Sequence, residues 1–487
     1  MKSKTLIALS ASFIAIGCTT GGLQGQGANR TIAPGAAQQA AQQHPQIIAE
    51  FGGALSANRN AYVTNVGRKV AAQSGLRGGG SAYTFTALNS PVMNAFAVPG
   101  GYVYVTRQLM GLMNDEAELA SVLGHETGHV AANHSAGRQN RGILTQILSA
   151  GAAILTGSSQ IGQIVGQVAQ LNQLSYSRNQ EFEADDLGIR YMSGAGYDPN
   201  AAVSLLASLG AATSLESRAS GRNDERATPS WARTHPLSAD RVARATRQAQ
   251  ATGMAGRGIR NRDQYFAMLD GIIVDDDPEQ GVVEGRNFLH PDLRLRFTVP
   301  NGYGIQNGTR AVSITGSNGQ AQFSGGSFSG NLSTYIGQVF QSLAGQQARI
   351  QYSQPRSTTV NGIPAAYSTA RVAAQQGQVD VTVFAYQWDS NSAYHFATIT
   401  RAGSGLGPFE SMVGSLARLT AAQAAAIRPR VIDVVTVRAG DTVQSLANRM
   451  AYQDLKVERF LTLNGLQSNS QLRAGQKVKI VVYGTRS

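Results

Sequence analysis

Two imidazoles and a carboxylate fall within five residues, His125-Glu126-Thr127-Gly128-His129, and no other stretch of this sequence is so well suited to chemistry. On a helix of 3.6 residues per turn, a separation of four rotates by ~400°, so His125 and His129 leave one face about 40° apart and can grip one zinc ion. Glu126 lies about 100° round from His125. It is poorly placed as a third ligand and well placed to reach a metal-bound water, where a general base belongs. The pattern is short enough to arise by chance on an ordinary helix, so its surroundings matter.

A catalytic zinc takes three protein ligands and leaves the fourth position to water. His134 does not supply the third: on a continuing helix it points away from His125, and the metzincin spacing would need Gly and His where Ala132 and Ser135 stand. It reads as a surface histidine or one supporting a ligand from behind. Glu181-Phe182-Glu183-Ala184-Asp185 is the better source. Glu181 and Asp185 share a helical face, so one can bind the metal while the other orients a histidine through its free ring nitrogen. Glu183 reads as a solvated carboxylate of the kind the helix dipole favours near a helix start. Positioning falls to two helices. Asp115-x-x-Glu118 is a capping box that starts the first, and the second runs on through Leu187, Ile189, Arg190 and Tyr191.

Four separated motifs then occur in order: Asn94 to Gly101, the His125–His129 stretch, Ser177 to Asp185, and Thr234-His235-Pro236. Together, over roughly residues 45 to 250, they resemble metallopeptidase family 48, which includes the CAAX prenyl proteases, the HtpX membrane proteases and the BepA-type periplasmic proteases. The resemblance implies a mainly helical zincin-type domain with a small sheet, and one Zn2+ per chain held by His125, His129 and Glu181. Asp185 would stand behind the ligands, and Glu126 would be the general base that draws a proton from a zinc-activated water, whose pKa falls towards ~7. His235 would sit over the site, either stabilising the transition state or making a regulatory contact with the metal, and Arg241 matches a basic family position. Asn94, Ala95, Phe96 and Ala97, with Val98, would form the edge strand on which an extended substrate pairs.

Lys2 and Lys4 precede an apolar run from Leu6 to Ile16 that is too short to span a bilayer, as in a secretory signal over residues 1–17. Ala15-Ile16-Gly17-Cys18 resembles a bacterial lipobox, with Ala15 where that pattern prefers Leu. Cys18 is the single cysteine of 487 residues and has no disulfide partner within the chain, which a lipid anchor explains. Residues 18–46, rich in Gly, Ala and Gln, are expected to be a flexible tether. Thr19, rather than Asp, after the cysteine implies the outer membrane, facing the periplasm, by similarity to enterobacterial lipoproteins. The net charge of +12 is spread without a basic run or a nucleic-acid motif, so an anionic envelope surface is the expected partner and nucleic acid is not.

Gly142 to Ser177 carries no charge but is broken by Gln and Gly, and is expected to form helices over the active site rather than a membrane span. The whole is read as an α+β multidomain chain, with a metalloprotease domain at 47–273, an α+β domain of unknown role at 280–425 and a βααβ module at 434–482. Alternation of Leu293, Leu295, Phe297 and Val299 with polar residues marks a strand, further runs follow at 311–314, 379–386 and 392–400, and helical spacing marks 332–343 and 409–417.

The last module, from Val435 to Ile480, resembles a LysM domain, apart from a longer connection at Tyr452-Gln453-Asp454. That resemblance implies peptidoglycan binding beside Gly440, Asp441 and Thr442 and beside Asn464, Gly465 and Leu466, unless the fold only packs on the protease. The expected function is a zinc metalloendopeptidase of the bacterial envelope acting on unfolded or misassembled outer-membrane proteins. The alternative is a chaperone-like scaffold lipoprotein whose zinc site is repressed or structural.

Overall fold

The computed structural model describes residues 23–24, 30–134, 176–220, 230–344, 350–374 and 377–486. The expected signal segment, Cys18 and most of the uncharged stretch between 142 and 177 lie outside them. No helix among the described residues is long and apolar enough to cross a membrane.

The N-terminal unit opens with α1 (Pro34–Glu50) and α2 (Ala57–Ala71), then β1 (Thr84–Leu88), β2 (Ala95–Val98) and β3 (Tyr102–Thr106). The strand order is β1-β3-β2, with β1 parallel and β2 antiparallel to β3, so β2 is an edge. Alternation along β2 separates two cores. Ala95 and Ala97 face the main core, while Phe96 and Val98 face Ala40 and Ile47 of α1. The tether expected to reach residue 46 therefore gives way at residue 34. Pro34 starts a helix at a position where its missing N–H is not needed, and that helix buries two apolar residues against the sheet.

Next come α3 (Arg107–Leu112), α4 (Glu116–Ala131), α5 (Arg178–Gly194), α6 (Asn200–Ser220), α7 (Ser230–Thr234), α8 (Ala239–Ala251) and α9 (Arg262–Leu269). Asp115 caps α4, accepting from the Glu118 N–H at 2.9 Å, but the expected box is only half made, because the Glu118 carboxylate accepts from the Asn114 N–H rather than from that of Asp115. α4 is buried almost all round, at the centre of the unit. It crosses α5 at close range because glycines meet there: a Cβ on Gly188 would lie 2.8 Å from the His125 nitrogen, and one on Gly128 would lie 3.1 Å from the Ala184 carbonyl. After α9 a short strand, β4 (Ile273–Val274), closes the unit.

The middle unit holds a four-stranded sheet, ordered β15-β7-β6-β5, of β5 (Val282–Glu284), β6 (Asn287–His290), β7 (Leu295–Thr298) and, later in the chain, β15 (Ala417–Arg418). Between them lie β8 (Gly304–Asn307), β9 (Val312–Gly316), β10 (Gly319–Ser327), α10 (Leu332–Ala344), β11 (Arg356–Val360), β12 (Ile363–Ala374), β13 (Gly377–Gln387), β14 (Ser392–Arg401) and α11 (Glu410–Ser415). Strands β8 to β14 form one antiparallel sheet, ordered β8-β9-β10-β14-β13-β12-β11, with α10 packed on it.

The C-terminal unit is β16 (Arg430–Thr436), α12 (Val443–Asn448), α13 (Lys456–Leu463) and β17 (Lys477–Tyr483), the βααβ order. It is not a free appendage. β16 pairs with β4 as well as β17, and Ile432, Leu446, Phe460 and Ile480 belong to the same apolar core as α4. The long connection between α12 and α13 also docks on the N-terminal unit, with the Tyr452 hydroxyl donating to Asp275 at 2.8 Å.

Candidate metal centre

Four donors converge where α4, α5 and the turn after α7 meet: His125, His129, Glu181 and His235 offer ligand atoms all within 4.8 Å of one another. Nε2 of His125 and Nε2 of His129 are 3.0 Å apart, and Glu181 oxygens lie 3.6 Å from the first and 3.5 Å from the second. Donors arranged tetrahedrally about zinc at bonds of ~2.0–2.1 Å are about 3.3 Å apart, so the spacing fits that ion. His235 fits a fourth vertex, its Nδ1 3.3 Å from His125 Nε2 and 3.0 Å from Glu181 Oε1. Two imidazoles and a carboxylate are also the donor set zinc takes in hydrolases.

Each ligand histidine is held by its other nitrogen. His125 Nδ1 lies 2.9 Å from Asp185, and Arg241 forks onto the same carboxylate with two bonds of 2.8 Å. Arg241 also reaches Glu181, 2.7 Å away, so one guanidinium serves two buried acids. His129 Nδ1 lies 2.8 Å from Nδ1 of His134, whose Nε2 is 3.2 Å from Glu183. His134 is thus buried behind a ligand, the second of its two expected places. Glu183, expected to be merely solvated, is still largely exposed but anchors that histidine. Tyr176 stacks on the His129 ring at 3.6 Å; no spacing in the sequence pointed to it.

Burial raises the pKa of Glu126, partly offset by His235 and His125. Its Oε2 is enclosed without a hydrogen-bond partner among the described residues, while the Ala97 N–H of edge strand β2 is directed at the carboxylate. Burial also pushes the Glu181 carboxyl up, but His235, His129 and His125 together hold it well below the usual range. Asp185 is lowered too: burial opposes, and His125 and Arg241 prevail. Burial keeps His129 neutral, the form a ligand needs.

Ala95 lines a pocket that opens beside His125 and Glu126 and runs between α4, α5 and α6 to Leu205, Leu206, Leu209 and Trp231. Asn94 is placed differently from the other strand candidates. Its backbone is bonded to Thr106 on both sides, at 3.1 and 2.9 Å. In the C-terminal unit Gly440, Thr442 and Gly465 are exposed and Asp441 and Leu466 are half-buried. Asn464 is buried, its amide spent on the backbone of Phe460 and Lys479, because it ties α13 to β17.

An HExxH helix that meets a glutamate on a second helix is a candidate metal site of the gluzincin type. Residues 57–249 match the Peptidase family M48 model, and residues 435–481 match the LysM domain model. The chain carries an M48 peptidase domain and a LysM domain. It is similar to the mitochondrial metalloendopeptidase OMA1 of Schizosaccharomyces pombe, 31% identical over 203 residues, or 41% of this chain and 56% of that protein. It is also similar to the beta-barrel assembly-enhancing protease of Yersinia pestis, 32% identical over 198 residues, or 39% of this chain and 38% of that one. Metalloprotease LoiP of Escherichia coli K12 is 31% identical over 171 residues, 33% of this chain and 61% of that one. The chain therefore spans less than two thirds of each of these relatives.

Proposed function

We propose that this chain is a zinc metalloendopeptidase of the bacterial cell envelope. The observation that carries the reading is the near-tetrahedral spacing of His125, His129 and Glu181 beside the enclosed carboxylate of Glu126. When bound, zinc supplies a Lewis acid that polarises a peptide carbonyl and acidifies water. Glu126 takes the proton of the attacking water and delivers it to the departing amine. The Ala97 N–H orients Glu126, and an extended peptide pairs along β2. The apolar cavity takes a side chain next to the scissile bond. Asp185 and His134 fix the ligand rings, and Arg241 neutralises the buried acids behind them.

The M48 and LysM matches, with BepA and LoiP among the relatives, support a place in the envelope and a task in outer-membrane protein quality control. In this reading Cys18 carries a lipid anchor, and the LysM domain holds peptidoglycan through Gly440, Thr442 and Gly465.

His235 favours a second reading, a scaffold-like or repressed state. Its Nδ1 stands where a fourth donor would, and a zinc site closed by four protein donors is structural. Zinc content and casein cleavage by the wild type, Glu126→Gln and His235→Ala separate the two. We expect one zinc per chain in wild type and Glu126→Gln, and a loss of cleavage of about 10²- to 10⁴-fold in Glu126→Gln. A zinc-loaded wild type that does not cleave, beside a His235→Ala variant that does, would identify His235 as the closing ligand. Zinc-loaded proteins that never cleave would leave the scaffold.

A further inference from the structure

We propose that Lys479, in the LysM domain, is a positioning residue for the HExxH helix of the peptidase domain. Lys479 is fully buried on β17, and its ammonium reaches out of its own domain to the carbonyls of Gly111 at 2.8 Å, Leu112 at 3.2 Å and Met113 at 2.6 Å. These belong to the end of α3, where the last carbonyls of a helix have no partners of their own. Their neighbours are satisfied from α9, by the Tyr265 hydroxyl on Met110 at 2.8 Å and by Arg262 on Asn114 at 3.2 Å. Three carbonyl acceptors at once call for three N–H donors, which only the protonated amine possesses. Burial brings the Lys479 pKa well below the ordinary lysine value and Glu118 opposes that shift, so it is the three-carbonyl geometry that argues for the charged form.

The segment that Lys479 grips is the link into the catalytic helix. Asn114 donates its N–H to Glu118 at 2.7 Å, and Asp115, the next residue, caps α4. Ser204 of α6 donates to the other Glu118 oxygen at 2.6 Å. His125 follows two turns further along the same rigid helix, so a shift of the Gly111–Asp115 link is carried to the metal ligands. Lys479 is itself held on both sides by Asn464, which accepts from its N–H at 2.7 Å and donates to its carbonyl at 2.9 Å. A module that only tethered the enzyme would have no use for a buried cation on its neighbour, which is costly unless fully paired. The inference needs the metal site but not the peptidase reading.

The test uses the full chain loaded with Co2+, read by its visible absorption and by chelator competition, with thermal melting in parallel. Lys479→Met should weaken Co2+ binding about tenfold and change the band shape, within the range that removal of supporting groups around metal ligands causes. If Lys479 acts through the start of α4, Glu118→Gln should have a smaller effect in the Lys479→Met background than alone. Should Lys479→Met fail to fold, Asn464→Ala decides, with the same spectral change expected at reduced size. Unchanged Co2+ affinity and spectrum beside a lowered melting temperature would make Lys479 a core residue only and overturn the proposal. Neither readout depends on peptide cleavage, so both apply equally to a protein without peptidase activity.

Discussion

Nδ1 of His129 lies 2.8 Å from Nδ1 of His134, so one imidazole supports another across the rear of the candidate metal centre. With His129 Nε2 turned to the ligand cluster, its Nδ1 must carry the proton, and His134 accepts it while donating from Nε2 to Glu183. His125 gains the same orientation from Asp185 directly.

His134→Ala should therefore lower zinc affinity by about 10- to 100-fold, as loss of a group behind a metal ligand does. Glu183→Gln should cost less, because the Glu183 side chain is 60% exposed and water can replace it. Chelator competition on the two variants checks the order; an equal or larger loss in Glu183→Gln would contradict the relay.

Gly188→Ala sets two effects against each other. Alanine is the better helix former by about 1 kcal/mol, but its Cβ would stand 2.8 Å from the His125 nitrogen, a backbone atom that cannot swing aside. Overpacking of this kind costs about 1–3 kcal/mol. We expect a lower melting temperature together with weaker zinc binding, since α4 and α5 carry the His125–Asp185 pair across their contact. A variant more stable than wild type would show that the crossing has slack.

The middle unit should lose stability in mild acid. His395 is buried between Ser324 and Tyr335, and burial lowers its pKa to about 4 from 6.5. The unfolded chain therefore takes up a proton below 6.5 that the folded unit refuses until about 4, so stability falls as pH drops through that window. The full difference is about 3 kcal/mol by linkage. Denaturant melts of wild type and His395→Phe between pH 7 and 4 measure it; a dependence that survives the substitution would have to come from other groups.

Much of the site was legible in the chain. Helical periodicity puts His125 and His129 on one face with Glu126 beside them, and Glu181 and Asp185 on one face of the next helix, because spacing within one helix is a local property; which of the two acids meets the metal came from the family resemblance alone. Asp115 also announced the start of the first helix through its capping side chain, whereas the Ser177 cap that starts the second four residues before Glu181 emerged only in the structure. In the middle unit the apolar alternation of β7 was plain. The Ala-rich β12 and the Gly- and Gln-rich β10 were not, since their strand conformation comes from cross-strand partners rather than propensity.

The amino-acid sequence by itself determined which groups could bind a metal and which helices carry them. Only the tertiary structure decided that Gly124, Gly128 and Gly188 bring those helices close enough to share one ion, that His134 stands behind His129, and that Arg241 serves two acids. It also decided that a LysM domain more than three hundred residues downstream plants Lys479 at the threshold of the catalytic helix. Those are contacts between distant segments, set by packing and by the need to pair every buried charge, and no local periodicity encodes them.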